Sequence, residues 1–129
     1  MLLPPAELVG RAKATVRECS VTDVNERPDN ITIMIDIREP AEYACGRLPG
    51  ATHIPRGVLE FEIHGLVEKH RGNEGTGDAE NHPIVLYCGT GGRSALAAAT
   101  LAELGYTNVT SMAGGVAAWK QAGLKLETP

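Results

Sequence analysis

Apolar residues fall along this chain in blocks that alternate between a helical and an extended rhythm. From Ala6 to Glu18 they recur at Leu8, Val9, Ala12 and Val16, the stagger of an N-terminal helix packed on something larger. Ser20 to Asp23 reads as a short edge strand, and Glu26 to Asn30 as a turn. Ile31 to Ile37 is rich in β-branched residues, the pattern of a buried strand, and ends at Asp36 and Arg38. Glu39 to Tyr43 starts a helix with Pro40 in its first turn. A loop from Gly46 leads into a short strand at Thr52 to Ile54. Val58 to His70 places Leu59, Ile63, Leu66 and Val67 on one side of a helix. The next segment, 72–82, carries glycines and charges and is expected to be a flexible loop. Ile84 to Tyr87 is an apolar strand, and an alanine-rich helix follows from Arg93 to Leu104, ended by Gly105. Asn108 to Met112 is a last strand, and Val116 to Ala122 a last helix, with Gly114-Gly115 between them. Strands alternating with helices predict an α/β domain with a parallel sheet and right-handed crossovers.

At 129 residues the chain suits one domain over 1–129, in which 1–20 is a helical extension. Its hydrophobic share of 43% is that of a globular protein, which argues against disorder. A net charge of −4 gives no footprint for nucleic acid, and no apolar stretch approaches the ~20 residues that span a bilayer, so neither partner is expected. The N-terminus Met1-Leu2-Leu3-Pro4-Pro5 lacks a basic region and a long apolar segment, so no secretory signal is read there. Cys19, Cys45 and Cys88 are odd in number and widely spaced, without a CxxC pair or a zinc pattern among the four histidines. Free thiols in a cytoplasmic protein, with no metal and no cofactor, are expected.

Cys88 carries the chemistry. It ends an apolar strand and opens the turn Gly89-Thr90-Gly91-Gly92-Arg93-Ser94, just before a helix. The first N–H groups of a helix lack intrahelical partners, and the helix dipole adds partial positive charge there. Both favour thiolate, the reactive form. Glycines at 89, 91 and 92 permit a nest of N–H donors around an anionic sulfur, whether thiolate or persulfide, and Arg93 adds a fixed positive charge that braces the loop. Ligands of such sheets bind beyond the carboxyl ends of strands, where Cys88, Asp36 and Arg38 all lie.

Four motifs in order make the chain resemble the rhodanese-like (thiosulfate sulfurtransferase) domain family. Ile35-Asp36-Ile37-Arg38-Glu39, followed by Glu42, is similar to the family's "DVRE" strand end. Gly46 to Pro55 is similar to "GHIPGAxHIP", with Arg47 in place of the first histidine. Ile84 to Ser94 is similar to "PIVLYCxxGxRS", and Gly114-Gly115 with Trp119 to "GGxxxW". The resemblance covers Ile31 to Leu124. It implies a three-layer fold with a five-stranded parallel sheet flanked by helices. It also implies ping-pong transfer of sulfane sulfur through a persulfide on Cys88, from thiosulfate or a persulfide donor to cyanide, a thiol or a sulfur-accepting protein. Thiosulfate-using relatives often carry basic residues in the loop; Gly89 to Gly92 carries none, so thiosulfate is expected to be a poor donor.

Around this centre, Asp36 is expected to fix loops by hydrogen bonding, Arg47 to assist an anionic donor from the rim, and Arg38 to orient the rim or pair with Glu39 at the surface. Cys45 and Cys19 read as packing residues, His53 as a hydrogen-bonded one, and His64, His70 and His82 as solvated side chains. Two other functions compete. A phosphatase or arsenate reductase needs Cys-x5-Arg to cradle a tetrahedral oxyanion, whereas four residues separate Cys88 from Arg93 here. A non-catalytic binding module has no need of the thiol and open loop, both of which are intact. A dinucleotide site is disfavoured, because Gly89-x-Gly91-x-x-Ser94 lacks the third glycine.

Overall fold

Five short strands set the architecture. The computed structural model describes residues 1–27, 29–74 and 78–129. Strands β1 (Arg17–Cys19), β2 (Ile33–Asp36), β3 (Thr52–His53), β4 (Ile84–Tyr87) and β5 (Val109–Met112) form one sheet in the order β1-β5-β4-β2-β3, with every pair parallel. A parallel sheet covered by helices on both faces buries its strands twice, which is why β2 and β4 read as nearly unbroken apolar runs. Ile33 and Ile35 of β2 face one layer, where they meet Leu59, Ile63 and Val67 of α4 (Leu59–Glu74) and Ala97, Ala98 and Leu101 of α5 (Gly92–Glu103). Met34, Val85 and Tyr87 face the other layer, with Val116 and Trp119 of α6 (Gly115–Gln121) and Val21 and Val24 of α2 (Val21–Asn25). The first helix, α1 (Pro5–Thr15), packs along α5, and α3 (Pro40–Ala44) follows β2.

Three expectations from the chain change. The first strand lies at Arg17–Cys19, one step before the expected Ser20 to Asp23, because Ser20 caps a helix: its hydroxyl accepts from the Asp23 N–H at 3.0 Å while the Asp23 carboxylate accepts from the Ser20 N–H at 3.2 Å. Within the segment expected to be flexible, α4 continues through Glu74 and Ala79–Asn81 forms a 3₁₀ turn; 75–77 lie outside the described residues, as does Pro28 of the turn before β2. Of the histidines expected in solvent, His64 is exposed as expected, whereas His82 is buried. His82 is 5% exposed and its Nε2–H donates to the Ile31 carbonyl at 2.7 Å, His70 bonds the Asn30 carbonyl, and His64 bonds the Tyr106 hydroxyl. No helix among the described residues is long and apolar enough to cross a membrane.

Candidate active site

Cys88 follows the carboxyl end of the central strand β4 and is 1% exposed. Its sulfur lies under the start of α5, where the Gly91 N–H donates to Sγ at 3.2 Å and the Ser94 N–H at 3.4 Å. Gly91 is the N-cap residue of α5, so the dipole of this twelve-residue helix points its positive end at the sulfur. Thr90, at the loop tip, is the exposed residue of this turn, and Gly89, Gly92 and Arg93 are half-buried.

The last helix orients the peptides under the nucleophile. The N–H groups of Val116 and Ala117, unpaired within α6, donate to the carbonyls of Cys88 at 2.9 Å and Gly89 at 3.0 Å. In a planar trans peptide the C=O and N–H point in opposite directions. Fixing the Gly89 carbonyl on α6 therefore turns the Thr90 N–H back toward Sγ. Two glycines make this approach feasible. Gly91 has φ +100°, and a Cβ there would sit 3.0 Å from the Gly114 nitrogen. Gly115 has φ +56°, and a Cβ there would sit 2.4 Å from the Cys88 carbonyl oxygen.

Two buried hydroxyls complete the surroundings of the sulfur. Ser94 Oγ lies 3.6 Å from Sγ, 3.2 Å from the Gly91 carbonyl and 2.7 Å from Ser111 Oγ. When Ser111 donates to Ser94, the Ser94 proton is free to point at a thiolate. Burial pushes the thiol pKa up, but the Ser94 hydroxyl and the N–H groups of Ser94, Gly91 and Thr90 outweigh it and hold Cys88 below the ordinary cysteine value. An anionic sulfur is thus stabilised here chiefly by neutral donors, with the Arg93 cation also interacting with it.

Arg93 braces the loop through a partner on another element. Its Nη1 and Nη2 donate to Glu42 Oε1 and Oε2 at 2.7 and 2.9 Å, joining α5 to α3 in a two-point pair that is partly exposed. The Arg93 guanidinium holds the Glu42 carboxyl down to about 2.

The other charged residues expected at the rim are occupied elsewhere. Asp36 is fully buried and accepts from the Arg38 backbone N–H at 2.9 Å, from Nε at 3.0 Å and from Nη2 at 2.7 Å. Arg38, 6% exposed, also donates to the Gly46 carbonyl at 2.6 Å, and its guanidinium lies 5.9 Å from the Tyr87 ring centre. Asp36 is the loop-fixing group expected; Arg38 is its buried counterion, neither on the rim nor paired with Glu39, because a strand-end bend puts residues two apart on one side. The Tyr87 hydroxyl accepts from the Leu48 N–H at 3.0 Å, tying the same 46–50 loop to β4. His53, hydrogen-bonded as expected, donates to the Arg38 carbonyl at 2.8 Å and stacks on Tyr43. Arg47 bonds the Tyr43 hydroxyl and pairs with Glu127 at 3.2 Å, away from the sulfur. A cavity of about 260 Å³ over Met34, Val85 and Trp119 includes no residue of the Cys88 loop.

The structure thus brings together Cys88, Gly89 to Ser94 and Glu42, with Arg38 committed to Asp36 and Arg47 to Glu127. Ser111 is the member that sequence reasoning missed. Fully buried in β5 beside apolar neighbours, it is a small polar strand residue whose pairing with Ser94 leaves no local mark. Among the described residues no group of three or more His, Cys, Asp or Glu side chains is placed to hold a metal ion.

Known proteins are similar to this chain. A sulfurtransferase of Allochromatium vinosum is 31% identical over 97 residues, covering 75% of this chain and 79% of that protein. The thiosulfate sulfurtransferase GlpE of Actinobacillus succinogenes is 34% identical over 96 residues, covering 74% and 76%. A solved structure from Rhodopseudomonas palustris, of a protein of unknown function described as a possible tyrosine phosphatase, superposes with a TM-score of 0.79 at 27% identity, covering 98% of this chain and 96% of that one. The sequence profile of the rhodanese-like domain matches residues 20–122, and with the thiol loop, the parallel sheet and these relatives in place, the chain belongs to the rhodanese-like domain family.

Proposed function

We propose that this protein is a sulfurtransferase that carries sulfane sulfur as a persulfide on Cys88. The observation that supports this best is the ring of N–H and hydroxyl donors closed around Sγ, which stabilises an anionic sulfur without a metal. The thiolate attacks the outer sulfur of a donor. With thiosulfate, the S–S bond breaks and sulfite leaves with the bonding pair, giving Cys88–S–S⁻; with an organic persulfide R–S–SH, a thiolate R–S⁻ leaves and Cys88–S–SH remains. A thiophilic acceptor then takes the terminal sulfur, cyanide leaving as thiocyanate, and Cys88 returns as thiolate. A thiol, free or on an accepting protein, serves in the same way. Neither half-reaction needs an external base, in keeping with a site where no general base lies against the sulfur among the described residues.

The phosphatase description of the Rhodopseudomonas palustris protein fits this loop less well. Only four residues separate Cys88 from Arg93, and Glu42 occupies both ends of the guanidinium that would clamp a phosphate. The test is steady-state thiocyanate production from cyanide with thiosulfate or 2-hydroxyethyl persulfide, beside p-nitrophenyl phosphate hydrolysis. Thiocyanate formation that Cys88→Ser abolishes is expected. Phosphate release without thiocyanate would replace this reading with the phosphatase one.

A further inference from the structure

We propose that Glu42 selects the sulfur donor: by pairing with both ends of Arg93 it offsets the cation that lies against the Cys88 loop, so the site favours organic persulfides over the thiosulfate dianion. This rests on the sulfurtransferase reading and deepens it.

Three observations carry the inference. First, Arg93 and Glu42 both sit on the peptide next to the nucleophile: a Cβ built on Gly89 would lie 3.0 Å from Arg93 Nη2 and 3.9 Å from Glu42 Oε2. A donor above Gly89 therefore meets a carboxylate as well as a guanidinium. Second, the loop offers no other charge, since Gly89 to Gly92 is neutral. Third, the neighbouring arginines are committed, Arg38 to Asp36 and Arg47 to Glu127. Arg56 makes no ion pair among the described residues; its backbone N–H bonds the Ile37 carbonyl, and its side chain makes no hydrogen bond to the loop.

Charge balance turns this geometry into selectivity. Loading from thiosulfate brings a dianion onto a thiolate, and three negative charges must share the transition state. Loading from R–S–SH brings a neutral group onto the same thiolate and releases R–S⁻, with one negative charge throughout. Backbone donors solvate one anionic sulfur in either case. The additional charges of thiosulfate need a net cation close by, and Coulomb interaction at such distances is worth about a factor of ten or more in rate when the local dielectric is below that of water. With Glu42 in place, part of the field of Arg93 at the loop is offset by a carboxylate on the same guanidinium. Glu42 is thus a positioning and screening residue that acts through Arg93.

Single-turnover loading of Cys88, followed by intact mass, measures kcat/KM for thiosulfate and for 2-hydroxyethyl persulfide, each normalised to its reaction with a free thiol. Wild type is expected to favour the persulfide. Glu42→Gln, which keeps the shape and loses the charge, is expected to raise the ratio of thiosulfate to persulfide loading about tenfold. Glu42→Asp is expected to retain the wild-type ratio, and so is Arg56→Ala. Two results would overturn the inference: a ratio unchanged in folded Glu42→Gln, or a wild type that takes thiosulfate as readily as persulfide, a comparison needing no substitution. Loading of Cys88 by neither donor would instead remove the sulfurtransferase reading on which the inference stands.

Discussion

The carbonyl oxygen of Cys88 accepts the N–H of Val116 at 2.9 Å, so the last helix of the chain holds the peptide that carries the nucleophile. Beside it the Gly89 carbonyl accepts the Ala117 N–H at 3.0 Å, which turns the Thr90 N–H toward the sulfur. The approach is open only while position 115 has no Cβ.

Gly115→Ala places a Cβ 2.4 Å from the Cys88 oxygen at φ +56°, and neither atom is at the end of a flexible side chain. The loop must move off α6. We expect a stability loss of about 1–3 kcal/mol, from strain at a left-handed backbone position, and a fall in Cys88 sulfur loading of about 100-fold. Urea unfolding and single-turnover loading measure the two separately.

Ser94→Ala removes the hydroxyl donor while leaving the backbone ring intact. The Cys88 thiol pKa should rise toward its ordinary value, since the buried sulfur keeps its desolvation and loses one compensating bond. The sign is fixed: iodoacetamide alkylation at neutral pH slows several-fold, and the difference from wild type closes at alkaline pH, where both are thiolate. Ser111→Ala should shift the profile in the same direction by less, because it acts only through Ser94.

How much of this was legible in the chain follows from range. The thiol loop was, because strand, glycine turn and helix start are adjacent in sequence and dictate N–H groups over Cys88. Gly114-Gly115 was visible as a motif, but its task on the Cys88 carbonyl is a tertiary contact that no local spacing encodes. Arg38 looked like a partner for the adjacent Glu39; burial of the strand end, invisible locally, gives it to Asp36 instead. Ser20 carried a capping signal with Asp23 that was read as strand, since its β-branched neighbour Val21 suits either state. The five-stranded parallel sheet itself was implied by the motifs and is present.

Asp36→Ala leaves the Arg38 guanidinium buried without its carboxylate. We expect a loss of about 3–5 kcal/mol, the range for breaking a buried pair by removing one partner. Replacing both residues, as in Asp36→Ala with Arg38→Met, should recover part of that loss. Chemical denaturation of the two variants beside wild type provides the comparison. Equal losses in the single and double variants would show that the pair is not coupled.

Glu42 gives the acid limb of the stability curve. Its pKa is lowered from 4.5 to about 2 in the fold, led by the Arg93 hydrogen bonds, so the pair stabilises above the unfolded value and that contribution fades as pH falls from 4.5 toward 2. Both side chains are more than a third exposed, so the effect is modest and weakens further with salt. Glu42→Gln should therefore be less stable than wild type at neutral pH and match it near pH 2, as read from urea midpoints across that range.

The most direct measurement of the central claim isolates the loaded protein. Wild type is treated with an organic persulfide, freed of donor by gel filtration, weighed intact, and then given cyanide. The account predicts a gain of about 32 Da, the mass of one sulfur, confined to Cys88 and absent from Cys88→Ser, and one thiocyanate released per loaded chain as the mass returns. A protein that turns over donor and cyanide while never holding the added sulfur, or that holds it equally well in Cys88→Ser, would contradict the account.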